Sequence, residues 1–297
     1  MFHALKYKIK YLRNQLLSNL YNKSDEKTRK QFEQLKLDPN KVPVISITFQ
    51  NPSVTKWQIT QIQKHCQDIE LLIFDNSKNE DQANEIKQHC ITLGIFYYRL
   101  PRNKVKHPNR SHALAMNWIY AQFIQLKKPD YFGFIDHDLI PLADFTIKPA
   151  LQNKPFYGLL YGGGRETWQT WAGYTFFDRR NMENKKIDFM YHFQIALDTG
   201  GYNYESLYRP TQLNPKEYAN NKIATLELPN REAVNIQVID NIWFHIGGIG
   251  YGDNFANKRN YVEDIMKLTI EHDNLIEEYQ VATKTLAANV IFNGQLI

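Results

Sequence analysis

The chain has 297 residues, 43% hydrophobic and 23% charged, the composition of an ordinary globular protein. Its 36 basic and 31 acidic residues leave a net charge of +5, which favours anionic small ligands and excludes a nucleic-acid footprint. Two cysteines, Cys66 and Cys90, show no Cys-X-X-Cys or zinc spacing, so they read as free thiols in a reducing cytoplasm.

Neither a secretory signal nor an apolar run long enough to span a bilayer is read from the sequence. In residues 1–20, Phe2, Leu5, Ile9, Leu12, Leu16 and Leu20 recur at helical spacing, with Lys6, Lys8, Lys10 and Arg13 among them. A basic amphipathic helix of this kind can lie in an anionic membrane interface, making the protein peripheral at the inner face of a membrane. It can equally pack on its own domain or pair with another subunit. Residues 21–40 read as a polar connector.

After Pro43 the order becomes regular. Val44–Phe49 is a β-branched apolar strand, and a helix then runs to about Cys66 with Ser53 as its N-cap. Ile69–Phe74 predicts a second strand, closed by Asp75-Asn76-Ser77. A helix carrying Ile86 and Leu93 stops at Gly94, and Ile95–Arg99 is a third strand. Ser111–Leu126 is helical, and Tyr131–Ile135 is a fourth strand. Alternation of this kind predicts an α/β fold with a mostly parallel sheet and helices on both faces. Ligands of such sheets bind beyond the carboxyl ends of the strands.

The second half is less regular. Phe156–Tyr161 reads as a strand running into Gly162-Gly163-Gly164, and Thr167–Phe177 as one or two strands. Asp188–Leu197 reads as a helix and 202–222 as a loop-rich excursion. Ala224–Leu228 and Ile236–Phe244 are two further strands, and 258–285 an amphipathic helix.

The fourth strand ends in Asp136-His137-Asp138. On an extended backbone, residues i and i+2 point the same way, so the two carboxylates can converge on one hard divalent cation, and such a cation suits a pyrophosphate. His245 follows an apolar strand and precedes Gly247-Gly248-Ile249-Gly250-Tyr251-Gly252. Its imidazole could complete the metal site at Asp136 and Asp138, favouring Mn2+ somewhat over Mg2+. Neither a dinucleotide fingerprint nor a Walker lysine occurs.

Taken in order, these segments resemble nucleotide-sugar-dependent glycosyltransferases of the GT-A fold, most closely the family-2-like group, over about residues 42–255. The resemblance is carried by Val44-Ile45-Ser46-Ile47-Thr48-Phe49-Gln50-Asn51, Asp75-Asn76-Ser77, Ser111-His112-Ala113-Leu114-Ala115-Met116-Asn117 and Asp136-His137-Asp138. Trp171-Ala172-Gly173 through Arg180 is similar to the family's Gly-containing strand that ends in basic residues. It implies Asp138 as direct metal ligand and Asp136 as a water-mediated ligand or ribose contact. Asp75 is implied at the nucleobase, where a carboxylate accepting a base N–H favours uridine or thymidine. Asn51, Arg102, Arg110 and His112 are further donor-site candidates. Asp198 stands where the family carries its acceptor-side base, with Leu197 in place of the usual Glu; His192 and Asp178 are alternatives. Trp168 and Trp171 could stack on a sugar ring, one of them being structural.

The expected organisation is an N-terminal helix and connector (1–40), a GT-A domain (41–257) and a C-terminal helical segment (258–297). Within the domain, 41–140 would bind nucleotide and 141–257 acceptor. The expected activity is metal-dependent, inverting transfer of a hexose or related sugar, from a UDP-sugar by preference, to a glycan or lipid-linked acceptor. A nucleotidyltransferase, a pyrophosphatase and a non-catalytic carbohydrate-binding protein are the alternatives.

Overall fold

The computed structural model describes residues 2–163, 166–249, 254–286, 291–292 and 295–296; Gly164 and the expected glycine turn at 250–252 lie outside them. Two N-terminal helices, α1 (Phe2–Tyr21) and α2 (Glu26–Gln34), precede a six-stranded sheet. Its strands are β1 (Val42–Thr48), β2 (Ile69–Asp75), β3 (Phe96–Arg99), β4 (Tyr131–Asp136), β6 (Phe156–Gly162) and β7 (Trp168–Asp178), in the order β3-β2-β1-β4-β7-β6. β1 to β4 are mutually parallel, joined through α3 (Pro52–His65), α4 (Glu80–Thr92) and α5 (Pro108–Ile119), and β7 and β6 add antiparallel to that edge.

Every residue of β1 is buried, as a strand covered on both faces requires. Alternate residues serve different cores. Ile45, Ile47, Phe74 and Phe134 pack with Phe32, Trp118 and Phe123 from α2, α5 and the π turn that extends α5. Val44, Leu71, Ile73 and Ile135 pack with Ile59, Ile62 and Ile86 from α3 and α4. Helices therefore lie on both faces, as the alternation predicts.

A second sheet was not anticipated. It is antiparallel, in the order β11-β8-β9-β10-β5, built from β5 (Leu139–Pro141), β8 (Asn221–Leu226), β9 (Val234–Ile239), β10 (Trp243–His245) and β11 (Gln280–Thr285). The single run expected over Ile236–Phe244 is in fact β9 and β10, reversed at Asp240 (φ 53°) and Asn241 (φ 62°), residue types that tolerate left-handed turn positions. The expected helix through residue 285 ends at Glu271. A short helix capped by Asn274 follows, and Gln280–Thr285 pairs with β8, so 258–297 is not a purely helical segment.

Two further expectations differ locally. α3 starts at Pro52, with Asn51 in the cap position, because proline suits the first helical turn, so Ser53 lies inside the helix. Asp188–Leu197 forms no α-helix, only a turn at Phe193–Ile195 and a bridge between His192 and Leu197. Side-chain hydrogen bonds hold that irregular path: the Asp188 carboxylate accepts from Asn117 (2.8 Å), Gln15 (2.7 Å) and the Met190 N–H (2.9 Å). Among the described residues no helix is long and apolar enough to cross a membrane.

Candidate active site

A cleft of about 590 Å3 opens at the carboxyl end of the parallel strands. Asp136 is the last residue of β4. After two intervening residues the chain enters β5, which pairs with β10 so that Leu139 faces His245. That pairing sets Asp138 beside His245, and the Ile246 N–H donates to the Asp138 carbonyl at 3.1 Å. Ligand atoms of Asp136, Asp138 and His245 lie within 4.8 Å of one another. Donors about 2.2 Å from one ion sit at most about 4.4 Å apart, so the trio fits a divalent cation after a closure of a few tenths of an ångström.

The imidazole is prepared for that role. His245 Nδ1 lies 2.7 Å from Gln237 Oε1, an oxygen that can only accept, so Nδ1 carries the proton. Nε2 is then left with its lone pair, 3.7 Å from Asp138 Oδ1. A ligand histidine oriented through its second nitrogen is the usual outer-shell arrangement at metal sites. Gln237 is directly opposite His245 in the β9–β10 pairing.

The turn between β4 and β5 is anchored from beneath. Fully buried Gln58 on α3 donates to the carbonyls of Asp136 (2.7 Å) and Leu139 (2.9 Å), while Ser46 donates to its Oε1. Gly173 on β7 leaves room for the ligands: a Cβ there would come within 2.6 Å of Asp136 Oδ2 and would strike the Trp171 ring. Trp171 lines the cleft edge-on to His245, at 5.0 Å between ring centroids, whereas Trp168 is buried in the core. The pair thus divides into one structural and one cleft-lining indole.

Electrostatics favour a bound cation. Burial, and then the neighbouring Asp138 carboxylate, raise Asp136 above the ordinary carboxylate range. Burial pushes His112 down to about 4, so its ring is neutral near pH 7, with Nε2 3.9 Å from Asp136 Oδ1. Exposed Lys78 and Lys106 line the same cleft and supply positive charge suited to phosphate. Asp198 lines it too. Its Oδ1 accepts from Asn109 (2.6 Å) and the Thr199 N–H (2.8 Å), and Oδ2 has no protein partner among the described residues.

Other expected donor-site residues take different positions. Asp75 is wholly buried, and its carboxylate is saturated by the Ser77 N–H (2.8 Å), Tyr97 Oη (2.8 Å) and Arg99 (2.7 Å). It therefore does not line the cleft; its neighbour Asn76 does. Arg110 turns to the Tyr191 hydroxyl (2.7 Å), and Asn51 donates to the Ile249 carbonyl (3.2 Å), tying the turn after β10 to the end of β1. Neither they nor Arg102, His192 and Asp178 are among the lining residues; Asp178 is held by Arg180 at 2.7 Å. Asp136, Asp138, His245, His112 and Asp198 are brought together. Gln58, Gln237, Asn109, Lys78 and Lys106 were not anticipated, since no spacing marks them and only helix packing, strand pairing or loop folding carries them to the cleft or beneath it.

No family model matches the chain, and no curated protein matches it. Among solved structures it is similar to the mannosyltransferase PcManGT from Pyrobaculum calidifontis, determined in complex with GDP-Man and Mn2+, at a TM-score of 0.35 and 14% identity. The likeness covers 61% of this chain and 56% of that one, so this chain spans little more than half of its length.

Proposed function

We propose that this chain is a metal-dependent glycosyltransferase that takes a hexose or related sugar from a nucleoside diphosphate sugar and delivers it to a glycan or lipid-linked acceptor. The observation that carries the reading is the convergence of Asp136, Asp138 and the Gln237-oriented His245 in a cleft that also holds two lysines and a separate carboxylate. A nucleotidyltransferase or a pyrophosphatase would draw on the same carboxylates, histidine and lysines; what favours transfer to an acceptor hydroxyl is the separate Asp198 carboxylate, held through Oδ1 alone.

Asp138 and His245 would hold Mn2+ or Mg2+, with Asp136 as third ligand, and the cation would offset the charge that gathers on the β-phosphate as the sugar bond breaks. Lys78 and Lys106 draw the diphosphate into the cleft and add to that offset. Phe49 and Ile47 offer an apolar wall to the nucleoside, and Asn76, which already donates to Ser111 Oγ (3.1 Å) and accepts from Asn103 (3.0 Å), keeps a second N–H and a second lone pair for a base. The preference for uridine rested on the Asp75 carboxylate, which is engaged internally, so the base identity passes to Asn76 and its neighbours. Asp198, fixed through Oδ1, keeps Oδ2 to accept the proton of the attacking hydroxyl. Direct attack by that hydroxyl inverts the anomeric centre.

The test is a thermal-shift panel of UDP, GDP, CDP and dTDP, with and without Mn2+, on wild type and Asp138→Asn. A ligand at one hundred times its Kd stabilises by about 2.7 kcal/mol. For a domain somewhat larger than 200 residues that raises Tm by roughly 5 °C. One diphosphate is expected to do so only with metal, and only in wild type. Failure of all four with every metal would remove the donor site and the proposal with it.

A further inference from the structure

Helix α1 is docked the wrong way round for an ordinary surface helix. Its polar side chains face the protein: Asn14 and Ser18 are buried, Ser18 accepts from Asn117 of α5 (3.3 Å), and Gln15 donates to Asp188. Tyr11, Leu17 and Tyr21 also turn inward, but five aliphatic side chains face solvent: Leu5, Ile9, Leu12, Leu16 and Leu20 are 56–59% exposed. At 100° per residue these five form one continuous stripe about 22 Å long, opposite Tyr7, Asn14 and Ser18. Five aligned, exposed aliphatic side chains are not scattered surface hydrophobics, and such a patch marks an interaction site.

Charge decides what covers it. The same helical spacing puts exposed Lys8 on one side of the stripe and exposed Lys6 and Arg13 on the other. Residues 1–24 contain Lys6, Lys8, Lys10, Arg13 and Lys23 and no aspartate or glutamate. A second copy seated on the stripe would bring cations against cations with no acidic partner in the helix. A partner that is apolar within and anionic at its rim matches both features. We propose that the exposed face of α1 seats on the surface of an anionic lipid bilayer, the leucine stripe lying among the acyl chains and the flanking cations among the headgroups. The contact is peripheral, and it is independent of whether the cleft binds a nucleoside diphosphate.

The experiment is co-sedimentation of the full chain with phosphatidylcholine vesicles with and without phosphatidylglycerol, at low and high salt. Binding is expected only to the anionic vesicles and is expected to weaken with salt, on the order of fivefold for each cation that acts at the surface. Ile9→Gln/Leu12→Gln/Leu16→Gln should lower the partition coefficient at least tenfold, and Lys6→Gln/Lys8→Gln/Arg13→Gln should do likewise. Both variants should melt as wild type does and keep its nucleoside diphosphate response, because the substituted side chains project into solvent. Equal binding to neutral vesicles, no binding to either, or a concentration-dependent dimer abolished by the leucine substitutions would each overturn the proposal, the last in favour of a second copy.

Discussion

Replacing Gln237 by leucine tests the site at its most specific point. The substitution removes the acceptor 2.7 Å from His245 Nδ1, keeps a similar volume on a β-strand, and replaces no proposed metal ligand. Without that acceptor the imidazole proton can move to Nε2, where Asp138 Oδ1 at 3.7 Å is the nearest carboxylate oxygen. An Nε2–H bonded to Asp138 would occupy both atoms a cation needs. Loss of an outer-shell partner of this kind lowers metal affinity about 10–100-fold, or roughly 1.4–2.8 kcal/mol. The cost to folding should be smaller, at most about 1 kcal/mol, because Gln237 is only half-buried and its remaining bond is to the equally half-buried Asn221. The assay is calorimetric titration of Mn2+ in the presence of a nucleoside diphosphate, with melting in chelator as the folding control. Gln237→Glu should bind as tightly as wild type or tighter, since a carboxylate still accepts from Nδ1. If Gln237→Leu binds Mn2+ like wild type while His245→Ala does not, the orientation argument is wrong. If neither variant changes affinity, His245 is no ligand.

Three further outcomes follow from the same geometry. Gly173→Ala should weaken metal-dependent diphosphate binding at least tenfold, because the added methyl contests the space of Asp136 Oδ2, and should cost about 1–3 kcal/mol in denaturant unfolding as Trp171 shifts. Asp198→Asn should leave diphosphate binding intact and slow sugar transfer about 10²–10⁴-fold, as loss of a general base does, in a radiolabelled donor assay. Half-buried Asp240 accepts from Tyr157 (2.8 Å) and Tyr174 (2.9 Å), and desolvation raises its carboxyl above the ordinary range. The folded state then holds its proton longer than the unfolded chain, so stability declines as pH rises from the ordinary carboxylate value through the raised one. Asp240→Asn keeps the acceptor and the left-handed backbone without the charge, so its Tm advantage over wild type should grow across that window; a constant difference would refute the assignment.

The sequence by itself determined the parallel half of this protein. Strands such as Val42–Thr48 and Ile69–Asp75 are almost wholly buried, so they read as largely apolar runs, interrupted only by Ser46 and by Glu70, and each ends in a polar residue. Asp136 and Asp138 do lie close together, but Asp136 ends β4 and Asp138 sits in the turn before β5, so that turn and the β5–β10 pairing, not an extended strand, bring the second carboxylate to the first. His245 was legible as a ligand candidate from its place after an apolar strand, although nothing local distinguishes it from a buried structural histidine. Only the tertiary structure decided how it is used, because the β5–β10 and β9–β10 pairings carry it to Asp138 and Gln237 across more than one hundred residues of chain and across eight. The same holds for Asp75 and Arg110, whose residue types suit a nucleotide but whose charges are met internally by Arg99, Tyr97 and Tyr191. It holds also for the Asp188–Leu197 segment, where helical spacing lost to hydrogen bonds donated by Asn117 and Gln15 and to one that the Asp188 N–H donates to Asn203 Oδ1. The periodicity of α1 predicted an amphipathic helix, but periodicity has no sign. Which face turns inward was decided by what α5 and the loop at Asp188 offered it: polar partners for Gln15 and Ser18 and an apolar seat for Leu17, leaving the five-residue aliphatic stripe outside.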